Sequence, residues 1–216
     1  ISKKKIIICW AMGITQHTNG VENVREIVNL LLLKGSIGKP GAGTCPVRGH
    51  SNVQGDRTMG IWEKPKEAFL NNLDKRFGFT APRNHGYDVV DSIKAMNEGK
   101  VKVFVSMGGN FISATPDSEF TGRAMQNCEL SVQVSTKLNR SHLVTGGEAL
   151  LFPCLGRSEK DIQQFGEQFV TVENSMGVVH RSKGSFMPCS ENILSEPAIV
   201  AGMAKASLKD STTNWD

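Results

Sequence analysis

The chain lacks the patterns that mark several large function classes. Its five cysteines (Cys9, Cys45, Cys128, Cys154 and Cys189) are widely scattered and no two form C-x-x-C. That spacing argues against a disulfide scaffold, and against a zinc or iron–sulfur site built by this chain alone. The odd count fits a reducing compartment, so a cytoplasmic location is expected. No apolar run approaches the ~20 residues that span a bilayer. Lys3, Lys4 and Lys5 lead straight into Ile6-Ile7-Ile8, too short an apolar stretch for a secretory signal. H-E-x-x-H and other metal spacings are missing, as is G-x-G-x-x-G. No serine or cysteine stands beside a plausible histidine and acid, so nucleophilic catalysis has no support. There is no internal repeat and no low-complexity tract.

Charge is present but uneven. Residues 1–60 carry eight Lys/Arg against three Asp/Glu, whereas residues 61–216 carry seventeen against eighteen. Without a long basic block a nucleic-acid arm is not expected. A phosphate-bearing small ligand near the first third and ordinary solvated surface both fit. With 216 residues, 39% of them hydrophobic, the chain can bury a real core in one large domain or two small lobes. It begins without methionine, and the expectation is a piece of something longer.

Periodicity predicts an α/β class. Residues 5–10 read as a buried strand, 11–17 as a turn and 21–34 as a helix, with Val24, Ile27, Val28, Leu31 and Leu32 on one face. Residues 36–60 read as one long Gly/Pro-punctuated loop, followed by a short helix near 65–72. Asp88 introduces a helix whose inner face is Val89, Val90, Ile93 and Met96. Residues 101–107 form a strand, Thr115 and Pro116 cap and start a helix, and 130–135 form a second strand. This crossover implies parallel pairing. A third strand is expected at 149–152, a capping box at 158–161 introducing a short helix, and a strand at 169–173. An amphipathic helix should open at Ser195-Glu196-Pro197.

In open parallel sheets, ligands bind beyond the C-terminal ends of the strands. Two such places stand out: Met12-Gly13-Ile14-Thr15-Gln16, and Met107-Gly108-Gly109-Asn110. Glycine there admits a ligand close to the backbone, though tight turns use glycine anyway. The stretch CPVRGHSNVQGDRTMG (residues 45–60) is a loop too long and too ordered in composition to be a simple linker. Its Arg48 suits carboxylate or phosphate recognition, or a surface ion pair with Asp56. His50 fits a proton carrier, a ligand or a structural hydrogen-bonding residue. Residues 135–142 are rich in donors that either clasp a polyanion or cap a short helix.

Several of these segments fall in a familiar order. The set Met12-Gly13-Ile14-Thr15-Gln16-His17, Gly38-Lys39-Pro40-Gly41-Ala42-Gly43, Cys45-Pro46-Val47-Arg48-Gly49-His50-Ser51-Asn52-Val53-Gln54-Gly55 and Met59-Gly60 resembles molybdopterin-dependent oxidoreductases of the dimethyl sulfoxide reductase superfamily. Order and spacing are similar to the formate dehydrogenase alpha subunit. Val105-Ser106-Met107-Gly108-Gly109-Asn110, Thr136-Lys137-Leu138-Asn139-Arg140-Ser141-His142, Leu151-Phe152-Pro153-Cys154-Leu155-Gly156-Arg157 and Val172-Glu173-Asn174-Ser175-Met176 extend the resemblance over nearly the whole chain.

The resemblance implies a Rossmann-like parallel sheet with flanking helices, and parts of two cofactor-binding lobes. Residues 1–60 would be the end of one pterin-dinucleotide-binding lobe and the crossing loop, 61–156 the second lobe, and 157–216 a peripheral segment. The implied cofactor is a molybdenum (or tungsten) bis(molybdopterin guanine dinucleotide). A 4Fe-4S cluster in the parent would be ligated outside this segment, as would the metal. Arg48 and His50 would lie at the metal, with Arg48 holding the carboxylate of a small substrate such as formate. Met12, Gly13, Gln16 and Gly49 would line one arm of the cofactor, and Gly108, Asn110 and Ser135 a nucleotide end. Formate dehydrogenases have glutamine at the position of His50. The redox partner is not identified, and the segment alone is expected to be inactive. The alternative is a Rossmann-like nucleotide-binding or interaction module without redox activity.

Overall fold

The β-branched run after Lys5 forms β1 (Ile7–Trp10) in the computed structural model, which describes residues 5–47, 50, 52–174, 177–210 and 212–215. The chain divides into two units, Ile1–Gly55 with Glu173–Val178, and Asp56–Val172 with Val179–Asp216.

In the first unit β1 runs into α1 (Met12–Thr15) and α2 (Gly20–Leu33), then into β2 (Gly43–Pro46). The 11–17 turn is thus a single helical turn, closed by the Gln16 N–H donating to the Met12 carbonyl at 2.9 Å. β2 pairs parallel with β1, from Ile7 opposite Gly43 to Trp10 opposite Pro46. The 36–60 stretch is therefore not one loop: it holds β2 and, further on, α3 (Val53–Thr58). Strand, helix and returning parallel strand make a complete βαβ unit. On α2, Leu31 is fully buried but Leu32 is 57% exposed. A two-stranded sheet covers only a narrow stripe of a helix, and Leu32 lies at its margin.

The second unit continues with α4 (Glu67–Phe77), to which Arg83 ties the following segment through Asp74 at 2.6 Å and Glu67 at 3.0 Å. Then come α5 (Val89–Asn97), β3 (Val103–Met107), α6 (Phe111–Ala114), α7 (Ser118–Gln126) and β4 (Leu130–Ser135). A 3-10 turn (Arg140–Leu143) leads to β5 (Glu148–Pro153). β3, β4 and β5 form a parallel sheet in that order, as the crossover pattern implies. Beneath it lies the core: Ile93 and Met96 from α5, Ile112 from α6, Ala124 and Met125 from α7, and Cys128, with Phe104 of β3 packed against them. Burying Met96 or Met125 fully contributes ~1.5–3 kcal/mol each.

Three local expectations are corrected here. The cap of α7 is Asp117, whose carboxylate accepts the Phe120 N–H at 2.9 Å; Thr115 instead ends α6 and donates to the Ile112 carbonyl. Val89 and Val90 lie in the first turn of α5 and are more than half exposed, leaving Ile93, Ala95 and Met96 inside. Residues 158–161 introduce no helix: Glu159 accepts the Gly156 N–H at 2.6 Å, and Asp161 opens β6 (Asp161–Gln163), paired antiparallel with β7 (Gly166–Gln168). The chain then forms β8 (Val170–Glu173), β9 (Val179–Ser182) and α8 (Glu196–Ser207). Ser195 caps α8 as expected; no residue of the helix is fully buried, and Ala198, Ile199, Ala201 and Ala204 are half-buried. Among the described residues no helix is long and apolar enough to cross a membrane.

Candidate functional site

Both parallel sheets end in loops where a ligand can approach, and each is built from the candidate residues. In the first unit, the register that sets Trp10 opposite Pro46 also lets the Val47 N–H donate to the Trp10 carbonyl at 2.7 Å. The turn bearing Met12, Gly13 and Gln16 and the start of the crossing segment thus leave the same end of the same sheet. Met12, Gly13 and Gln16 are all exposed. Gln16 donates from its amide to the Met12 sulfur at 3.8 Å, and the His17 ring donates to the Gly13 carbonyl at 2.8 Å. Nothing lies within 4 Å of where a Cβ on Gly13 would stand. His50 is exposed, while Arg48 and Gly49 lie outside the described residues.

One register step before the sheet end, Cys9 faces Cys45. A hydrogen bond with the Cys45 thiol, helped by slight desolvation and by the neighbouring sulfur's charge, raises the Cys9 pKa above the usual thiol value.

In the second unit Gly108 and Gly109 follow β3 with φ of 71° and 72°, a left-handed backbone in which a Cβ is strained. The turn is stitched to its neighbour. The Gly108 N–H donates to the Val134 carbonyl at 2.8 Å, and the Asn139 amide donates to the Gly109 carbonyl at 2.9 Å. Asn110 sits exposed at the start of α6 and makes no side-chain cap. Ser135 ends β4, donating to the Lys137 carbonyl at 2.8 Å. Asn139 and His142 form a capping box for the 3-10 turn, so that part of the donor-rich segment is committed to a helix cap. The structure therefore brings Gly108, Asn110 and Ser135 to one edge, where strand register aligns Met107 with Val134.

Beside that edge is a cavity of about 310 Å³ lined by Gln133, Ser135, Thr136, Lys137, His142 and Pro153 among others. Gln133 is 5% exposed, and its side-chain nitrogen has no hydrogen-bond partner among the described residues. A buried, unsatisfied amide costs ~1–3 kcal/mol unless something accepts its proton. Sequence reasoning missed Gln133, although the polar alternation of Ser131, Gln133 and Ser135 in a buried strand was its visible signal. A larger cavity of about 610 Å³ lies between Met107, the 155–157 segment and the first turn of α8. The thiol of Cys154, buried just after β5, is raised in pKa by burial and by the carboxylates of Glu196 and Glu159. It is held protonated, the wrong state for a nucleophile. Among the described residues no three His, Cys, Asp or Glu side chains are grouped to hold a metal ion.

Each unit by itself offers a sheet end with a glycine-bearing turn, and the second adds hydroxyls, an ammonium group and an orphaned amide. Such edges suit a long polar ligand carrying phosphates.

Comparison with known proteins agrees in kind. The family model described as molybdopterin oxidoreductase matches residues 1–141. An uncharacterised oxidoreductase of Mycobacterium tuberculosis is 57% identical over 206 residues, covering 95% of this chain and 26% of that protein. Protein YdeP of Escherichia coli is 51% identical over 213 residues, covering 99% of this chain and 28% of its own length. A formate dehydrogenase alpha subunit of Methanococcus maripaludis is 32% identical over 168 residues, covering 71% of this chain and 23% of that protein. The chain thus spans about a quarter of the length of the curated relatives it matches.

Proposed function

Because this chain belongs to the molybdopterin oxidoreductase family, we propose that it is the central cofactor-binding segment of an enzyme performing two-electron redox on formate or another small substrate. The observation that carries the reading is the parallel pairing of β2 with β1, which starts the crossing segment beside the 12–16 turn. When bound, the bis(molybdopterin guanine dinucleotide) supplies the two-electron step at its molybdenum or tungsten. The chain's own residues supply the hold. Met12, Gly13, Gln16 and Gly49 line one dinucleotide arm. Gly108, Asn110, Ser135 and Gln133 take a nucleotide end, and the orphaned Gln133 amide fits a carbonyl or phosphate acceptor there. Residues 1–60 and 61–156 then belong to two cofactor-binding lobes, with 157–216 peripheral to them.

Arg48 offers a planar fork of donors to a carboxylate and favours charge developing on it. His50, placed two residues on, carries a proton to or from the substrate. Any 4Fe-4S cluster and the metal ligand come from outside this segment, so the segment alone is inactive. A reducing cytoplasm fits the unpaired thiols.

The full-length protein, purified anaerobically, should contain molybdenum or tungsten and release a guanine-dinucleotide pterin. Absence of both would leave a nucleotide-binding or interaction module instead. In that protein Arg48→Ala should lower turnover by roughly 10²–10³-fold with metal content intact. Unchanged turnover would remove Arg48 from the site.

A further inference from the structure

The crossing segment has a second anchor, far away in sequence. At the start of α3 the Asn52 side-chain oxygen accepts the Glu173 backbone N–H at 3.0 Å. Two residues on, the Gln54 amide donates to a Glu173 carboxylate oxygen at 2.9 Å. Asn52, Gln54 and Glu173 are all half-buried, and all belong to the first unit. Gly55 completes the fit, since a Cβ there would run into the Asn52 amide. On the other side, Asn174 accepts the Val178 N–H on its side chain at 3.1 Å and the Gly177 N–H on its backbone carbonyl at 3.1 Å. Glu173, the last residue of β8, is therefore presented to α3 from the end of a strand.

We propose that Glu173 is a positioning residue: with Asn52 and Gln54 it fixes the far end of the segment whose near end is fixed by β2. Val47 is held by Trp10 and Asn52 by Glu173, so five residue steps, including those of Arg48 and His50, run between two anchors. Holding the start of α3 in place before any substrate arrives removes conformational freedom that binding would otherwise have to remove. The bond to a carboxylate is charge-assisted and stronger than one between neutral groups. The consequence for substrate rests on the proposed function; the anchoring itself does not.

The test uses Gln54→Glu, Glu173→Gln and the double variant in the full-length, cofactor-loaded protein. Gln54→Glu sets two carboxylates against each other, while the double variant restores an amide-to-carboxylate bond with donor and acceptor exchanged. Hydrogen exchange of a peptide covering residues 46–58 should rise roughly tenfold in Gln54→Glu and return in the double variant. Metal content should stay constant in all three. With formate and a viologen acceptor, KM should rise in Gln54→Glu and fall back in the double variant. Exchange that is unchanged in Gln54→Glu, or as fast in the double variant as in the single, overturns the anchor. Restored exchange without any formate turnover in the wild type keeps the anchor and overturns formate as the substrate. Glu173→Gln, which still accepts from Gln54, should move exchange least; a larger effect than Gln54→Glu also overturns the proposal.

Discussion

Under the turn that follows β3 lies a layer of Ile93, Met96, Ile112, Ala124 and Met125, closed on one side by Phe104 and Phe111 with ring centres 4.8 Å apart. Under the turn that follows β1, the large side chain out of contact with water is Leu31, and Leu30, Leu32 and Leu33 beside it are exposed. Both turns lie at the C-terminal end of a parallel sheet and both carry glycine. The β3 turn gets its shape from its own unit, through a left-handed backbone and hydrogen bonds to Val134 and Asn139. The β1 turn is a helical turn open on its outer side, and its precision comes from neighbours in sequence and from the β1–β2 register. The thinly supported edge of the first unit has to gain order by other means. The Glu173 contacts with Asn52 and Gln54 do that at the start of α3.

The comparison breaks first at the cores. Met96→Ala in the full-length protein should cost ~2–5 kcal/mol and open exchange across α5, α7 and β3 together. Leu31→Ala should fall at or below the lower end of that range, because thin surroundings collapse into the gap more easily than a packed layer. Equal losses, read by denaturant unfolding followed through local hydrogen exchange, would make the two foundations alike. The turns come next. Gly108→Ala must place a Cβ on a backbone with φ of 71°, although the nearest atom, a Glu196 carboxylate oxygen, is an acceptable 3.6 Å away. The expected cost is strain alone, about 1–2 kcal/mol. Gly13→Ala meets nothing within 4 Å and sits in a helical turn, so stability should hold or rise by less than ~1 kcal/mol. If Gly13 lines a cofactor arm, the same substitution should still reduce pterin content. Loss of stability in Gly13→Ala would show a turn as constrained as the one after β3.

Sequence pattern and structure part company where distant partners decide. α2, α5 and the crossover from β3 to β4 have apolar periodicity that local reading detects, and they are where it puts them. β2 has no such signal: Gly43, Thr44, Cys45 and Pro46 become a strand because β1 supplies the hydrogen bonds. The 158–161 segment has a good capping pattern, yet Glu159 uses its carboxylate on Gly156 instead. Thr115 and Asp117 are both fair caps for one helix, and only the closed backbone distinguishes them. At the site, the glycine turns were visible because a turn after a strand is a local event. Gln133 was not singled out, since whether an amide lacks a partner depends on every element packed around it. Nor can 52, 54 and 173 be joined by reading along the chain, as they are 121 and 119 residues apart.

The smallest expected effect concerns the thinner edge. The Cys9 thiol is raised in pKa chiefly by its hydrogen bond with Cys45, so at a given pH less of it is thiolate than in an ordinary exposed cysteine. Cys45→Ala removes both the bond and the neighbouring sulfur's charge. The Cys9 pKa should then fall, the thiolate fraction should rise, and alkylation of Cys9 at mildly alkaline pH should become faster. The gain is smaller than the change in thiolate fraction, because a thiolate of lower pKa is also a weaker nucleophile. Rates for the peptide containing Cys9, followed by mass spectrometry across a pH series, give the shift directly. If Cys9 reacts at the same rate with and without Cys45, the two thiols are not in contact. The β1–β2 edge would then lack even this side-chain link across its register.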